Sequence, residues 1–201
     1  MQNEALIQAL IAKCSGTIVA HADELTTLDR AIGDGDHGAN MARGFNAIAD
    51  AADEIAGLPF GQALQKAGTT LVMKVGGAAG PLYGSLLMAM GKAAPNIPKG
   101  VEAVGALLEA GIDAVKARGK SDVGAKTMLD VLIPVQAVLA KGGSIAELRA
   151  ATDAALAATA PMRATKGRAA FLGERSIGHI DPGARSSALL IHAVLDVLEK
   201  K

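Results

Sequence analysis

Asp29-Arg30-Ala31-Ile32-Gly33-Asp34-Gly35-Asp36-His37-Gly38-Ala39-Asn40-Met41-Ala42-Arg43 carries three carboxylates interleaved with glycines. Like charges this close repel, and glycines lose more backbone entropy on folding than other residues. A chain that folds with both needs something to offset them. A divalent cation does so: magnesium takes hard oxygen ligands, commonly one or two carboxylates together with substrate phosphates. The glycines let the backbone bend tightly enough to aim Asp29, Asp34 and Asp36 at one point. A solvated acidic turn is the plainer alternative, and three carboxylates in this frame favour the metal.

Outward from this loop the apolar spacing is helical throughout. On its N-terminal side, Leu6, Ile7, Leu10, Ile11, Cys14 and Ile18 form one stripe over residues 3–22. On its C-terminal side a helix starts near His37 and runs to about Ala56, where Gly57 and Pro59 stop it. Further helices are expected over 61–74, with Leu64, Leu71 and Val72 inward, and beyond Pro81. Val101, Val104, Leu108, Ile112 and Val115 mark another helix that Gly119 ends, and Met128–Leu139 follows with Pro134 in it. Ser144 and Glu147 have capping-box spacing and open an Ala-rich helix to about Ala160. A polar loop over 161–182 precedes a last helix, 184–199. No stretch reads as a strand, so the expectation is one all-α domain of about eight helices spanning 1–201.

Composition agrees and excludes several functions. Hydrophobic residues make up 50% of the 201 and aromatics 2%, so the core is built of Ala, Leu, Ile, Val and Met in closely packed helices. Zero net charge argues against a nucleic-acid footprint or a polybasic membrane surface. One cysteine, Cys14, leaves no internal disulfide framework. The uncharged run between Lys74 and Lys92 is short for a membrane span and is broken by Pro81 and glycines. With no basic-then-apolar leader at Met1-Gln2-Asn3-Glu4, the expected setting is the cytoplasm.

Two further stretches carry chemistry. Successive N–H groups of Gly76-Gly77-Ala78-Ala79-Gly80, running into a helix start, make an anion site without a charged side chain. In the 161–182 loop, the Arg168 guanidinium suits phosphate charge, and Asp181-Pro182-Gly183 is a turn that opens the last helix. Other motifs fail. Gly33, Gly35 and Gly38 match the dinucleotide glycine pattern, but no strand precedes them and two aspartates intervene. Gly119-Lys120-Ser121 resembles a P-loop ending, yet its first glycine is Ala114. An EF-hand from Asp34 needs an acid where Phe45 stands, and the four histidines lack zinc spacing.

Gly33 to Gly44, Gly76 to Gly84, Lys126-Thr127-Met128-Leu129-Asp130 and Gly178-His179-Ile180-Asp181-Pro182-Gly183-Ala184, in this order, make the whole chain resemble the nucleotide-binding L subunits of dihydroxyacetone kinases. The resemblance implies a barrel of antiparallel amphipathic helices with the nucleotide at one end. It implies that Asp29, Asp34 and Asp36 hold two magnesium ions on the phosphates of ADP or ATP. His37, Gly38, Ala39 and Asn40, with Ala78 and Ala79, then contact phosphate, while Gly119, Met128, Arg168, Asp181, Pro182 and Gly183 line the rest of the site. Two positions depart from the pattern: Ala79 stands where the family often has Ser, and Ala125 where it often has Asp.

The implied activity is a phosphotransferase that works only with partners. A K subunit binds dihydroxyacetone and a phosphohistidine-carrying M subunit rephosphorylates retained ADP. The alternatives are a kinase subunit that exchanges ATP and serves another ketose or an acyl acceptor, and a binding module whose nucleotide state is read by a transcriptional regulator.

Overall fold

The structure, a computed structural model, describes residues 2–200 and contains no strand among them. The helices are α1 (Gln2–Ala20), α2 (Ala22–Ile32), α3 (His37–Asp50), α4 (Ala52–Ala56), α5 (Phe60–Lys74), α6 (Ala79–Ala93), α7 (Val101–Gly119), α8 (Leu129–Leu139), α9 (Ile145–Ala158) and α10 (Pro182–Glu199). Among the described residues no single helix is long and apolar enough to cross a membrane.

Neighbouring helices close a circuit. α1 packs on α3, α3 on α5, α5 on α6, α6 on α7, α7 on α8, α8 on α9, α9 on α10, and α10 returns to α1. The circuit encloses a core of Ile18, Leu25, Met41, Leu71, Leu129 and their neighbours, with a second cluster of Val131, Val135, Leu148, Ala188 and Leu195 between α8, α9 and α10. Close approach is set by small residues. A Cβ on Gly61 would lie 2.4 Å from the Gly91 carbonyl oxygen, and one on Gly68 would lie 2.8 Å from that of Gly84. These two facing glycine pairs, seven residues apart on each helix, run α5 and α6 antiparallel with their backbones touching.

The helical class stands, and the differences lie at boundaries. The 3–22 helix ends at Ala20, and α2 follows at a bend of 55° where a loop was expected. The buried face of α2 is Leu25, Asp29 and Ile32. A carboxylate in the middle of that stripe breaks its apolar periodicity, which is why the helix is not visible in the pattern. The 37–56 helix is interrupted at Ala51, which lets α4 turn Ile55 and Ala56 onto α1 and α5. Within the polar loop, Arg168–Ser176 forms 3₁₀ turns kinked at Gly173, and α10 begins at Pro182. Val72, expected inward, is 38% exposed. The Ser144–Glu147 capping box forms as expected, with both of its reciprocal hydrogen bonds.

Candidate functional site

The acidic trio assembles because Asp29 stands on a helix and reaches back over the turn that follows. Its Oδ2 accepts the backbone N–H of Asp36 at 2.9 Å and of His37 at 3.1 Å, so a carboxylate from α2 caps the start of α3. Asp36, at the N-cap position itself, makes no capping bond. Gly33 is required here, because a Cβ would lie 2.0 Å from Asp29 Oδ1, and Gly35 turns the chain at φ +76°. Asp29 is buried while Asp34 and Asp36 are exposed, and carboxylate oxygens of the three lie within 4.8 Å of one another. Three hard oxygen donors that close, two of them open to solvent, fit a magnesium ion.

Across from the trio stands the glycine loop. Gly77 takes φ +64°, and a Cβ on Gly80 would lie 2.3 Å from the Val75 carbonyl oxygen. Ala78 is the N-cap of α6 and offers no side chain to the first-turn N–H groups, which leaves them as donors for an anion. Buried Asn40 joins loop to trio: its side chain abuts Gly76 and takes a short hydrogen bond from Arg43 Nη2 at 2.5 Å. Arg43 Nε also donates to the Lys74 carbonyl.

One cavity is lined by Asp29, Asp34, Asp36, His37, Asn40, Ala78, Ala79, Met128, Arg168, Asp181, Pro182 and Gly183, all of them anticipated. Arg168 Nη2 pairs with Asp34 Oδ2 at 2.9 Å. His37 lines the cavity with its Nε2 engaged by Ser186 Oγ at 2.9 Å, and burial holds its pKa down against the pull of Asp29 and Asp36. Three expected residues, Gly38, Ala39 and Gly119, are not among those lining the cavity. Gly38 is buried at the crossing of α3 on α2, where a Cβ would lie 1.9 Å from the Ala22 carbonyl oxygen. Gly119 sits behind Leu82.

Several residues were missed. Tyr83 is the only tyrosine, and its hydroxyl meets Ser186 and Ser187, each at 2.8 Å, behind His37. Lys126 lines the cavity with its ammonium turned inward onto backbone carbonyls. Asp130 receives the N–H groups of Gly124 and Thr127 and so shapes the loop before α8. Asp181 caps α10 through the Ala184 N–H at 2.7 Å. Burial, with Asp130 nearby, pushes its carboxyl up to about 7 despite Lys126 and the backbone donors. A lone tyrosine beside a glycine loop was a usable signal, whereas nothing in the spacing distinguishes Lys126 from a surface lysine.

The chain is similar to known proteins over most of its length. Residues 31–196 match the DAK2 domain. The ADP-binding subunit of PEP-dependent dihydroxyacetone kinase 1 from Listeria innocua is 48% identical over 171 residues, 85% of each chain. The ADP-binding subunit of the PTS-dependent dihydroxyacetone kinase from Lactococcus lactis is 44% identical over 178 residues, 87% of each. The crystal structure of dihydroxyacetone kinase from C. freundii in complex with AMP-PNP and Mg2+ superposes with a TM-score of 0.78 at 25% identity. That match covers 96% of this chain and 34% of that one, so the chain spans about a third of that kinase's length. With a match across most of its length and relatives this similar, the chain belongs to the DAK2 domain family.

Proposed function

We propose that this chain is the ADP-binding, phosphoryl-donating subunit of a PEP-linked dihydroxyacetone kinase. The observation that carries the reading is the meeting, across one cavity, of the Asp29–Asp34–Asp36 trio and the uncapped N-terminus of α6. Asp29, Asp34 and Asp36 would hold two magnesium ions. Magnesium, when bound, neutralises phosphate charge and aligns the groups for in-line transfer.

The chain's own residues bind and orient. The first-turn N–H groups of α6 at Ala78 and Ala79 donate to phosphate oxygens, and Asn40, fixed by Arg43, adds a side chain next to them. The Arg168 guanidinium, at the cavity rim, exchanges the Asp34 carboxylate for phosphate oxygens. Met128, Pro182 and Gly183 supply the apolar wall. In the transfer, the bond from the terminal phosphorus to ADP's bridging oxygen breaks and one to the acceptor hydroxyl oxygen forms as that hydroxyl loses its proton. Ala79 costs little if this contact comes from the backbone N–H, which alanine retains.

The acceptor is dihydroxyacetone held by a separate K subunit in the cytoplasm, and a phosphohistidine on an M subunit restores the phosphoryl group to ADP that stays bound. The test is to purify the protein in magnesium without added nucleotide, denature it and count what is released by ion exchange. About one ADP per chain is expected. An empty site that binds Mg-ATP reversibly would point to direct ATP use, and one that binds neither would sink the kinase reading. In parallel, Asp36→Asn should weaken Mg-dependent nucleotide binding far more than Asp50→Asn, whose residue lies at the far end of α3. Equal effects would remove the metal from the account.

A further inference from the structure

Lys126 is 1% exposed and heads the fully buried side chains by volume. Its backbone takes φ +62°, a left-handed conformation that a non-glycine residue adopts only when its surroundings demand it. All three ammonium N–H donors are spent on carbonyls: Ser176 at 2.7 Å, Met162 at 3.0 Å and Ala160 at 3.3 Å. Methionine would fill much of the same space without the desolvation of a buried charge. What the ammonium adds is convergence, since it ties the Ala160 and Met162 carbonyls at the start of the segment between α9 and α10 to the Ser176 carbonyl near its end.

That segment is a compact loop with close ends. Gly178 N–H donates to the Ala160 carbonyl at 2.8 Å and closes its base. Inside, Ser176 Oγ accepts from Ala164 N–H at 2.9 Å and donates to the Gly173 carbonyl at 2.6 Å. Thr165 N–H reaches the Ala125 carbonyl beside Lys126 at 3.2 Å. Ala164 and Ala169 pack on Ile32 of α2, one turn beyond Asp29. The tip, Lys166 to Ala169, lines the nucleotide cavity and aims Arg168 at Asp34.

We propose that Lys126 is a positioning residue for nucleotide binding: its buried ammonium clamps the 160–178 loop and so holds Arg168 over the cavity. The Arg168 half rests on the nucleotide reading above; the clamp itself does not. Two measurements on the full chain separate them. In nucleotide-free protein, Lys126→Met should speed hydrogen exchange of the Ala164, Thr165 and Gly178 amides and leave α5 and α6 unchanged. Unchanged loop exchange overturns the clamp.

Mg-ADP affinity should then fall roughly tenfold in folded Lys126→Met, as expected for loss of a charged hydrogen-bond donor from the site. Arg168→Ala should do the same, and the double variant should be no weaker than Arg168→Ala alone, because one residue acts through the other. Unchanged affinity, or losses that multiply, overturns the coupling. Should Lys126→Met not fold, Ser176→Ala loosens the same loop from within and should reproduce both signatures in smaller degree; its failure to do so counts equally against the proposal. Wild-type protein that binds no Mg-ADP overturns the nucleotide reading and the Arg168 half, while the exchange result still decides the clamp.

Discussion

Asp29 accepts two N–H groups at the head of α3 and belongs to a carboxylate trio, so its two roles can be separated by substitution. Asp29→Ala removes the cap and should cost about 0.5–2 kcal/mol in denaturant unfolding. Asp29→Asn keeps an amide oxygen for the cap, so it should unfold nearer to wild type while losing Mg-dependent binding to a similar extent. Asp181 gives a pH signature. Burial lifts its carboxyl from 3.8 to about 7, so between those values the native state holds a proton that the unfolded chain has released. Native stability therefore falls as pH rises from about 4 to about 7 and levels off above. Asp181→Asn retains a capping oxygen and removes this titration. Its stability relative to wild type should rise across that window, by about 4 kcal/mol at most, in nucleotide-free thermal melts.

At the scale of elements, the glycines of the helices divide by what surrounds them. The three atoms nearest a Cβ on Gly61 are all backbone: the Gly91 and Ala94 carbonyl oxygens at 2.4 and 2.8 Å and Pro95 Cα at 2.9 Å. Backbone cannot swing aside as a side chain does, so Gly61→Ala must push α5 and α6 apart and should destabilise by about 1–3 kcal/mol. Gly16 in α1 has nothing within 4 Å of its Cβ position. There, Gly16→Ala should stabilise by about 0.5–1 kcal/mol, since alanine loses less entropy in a helix. Chemical denaturation of the two variants checks both signs.

For the whole molecule, the cavity ties together segments far apart in the chain: α2, the start of α3, the 76–80 loop, the loop before α8, the 160–178 loop and the head of α10. A ligand that bridges them binds only the native state and stabilises all of it. At a hundredfold excess over its dissociation constant, Mg-ADP should add about 2.7 kcal/mol, which is about 5–10 °C in melting temperature for a domain of this size. EDTA should remove most of that gain if the carboxylate trio holds the metal. An equal gain with and without EDTA would mean that nucleotide binds without it.

The helical class, most helix boundaries, the Ser144–Glu147 capping box and the acidic and glycine loops were legible in the chain, because each rests on local spacing, caps and turn residues. Asp29 was legible as a candidate ligand but not as a helical residue, since its carboxylate interrupts the apolar stripe that would have marked α2. Gly38 read as a phosphate contact, and its packing against Ala22 came only with the crossing of α3 on α2. Ser186 was silent, and Lys126 was legible only as part of a motif and not as a buried group, for the same reason: a lysine's burial and a serine's partners depend on carbonyls and rings that the chain brings near them only when distant segments pack. Local physics is written in neighbours along the sequence, while burial, hydrogen-bond partners and the pKa of Asp181 are properties of neighbours in space.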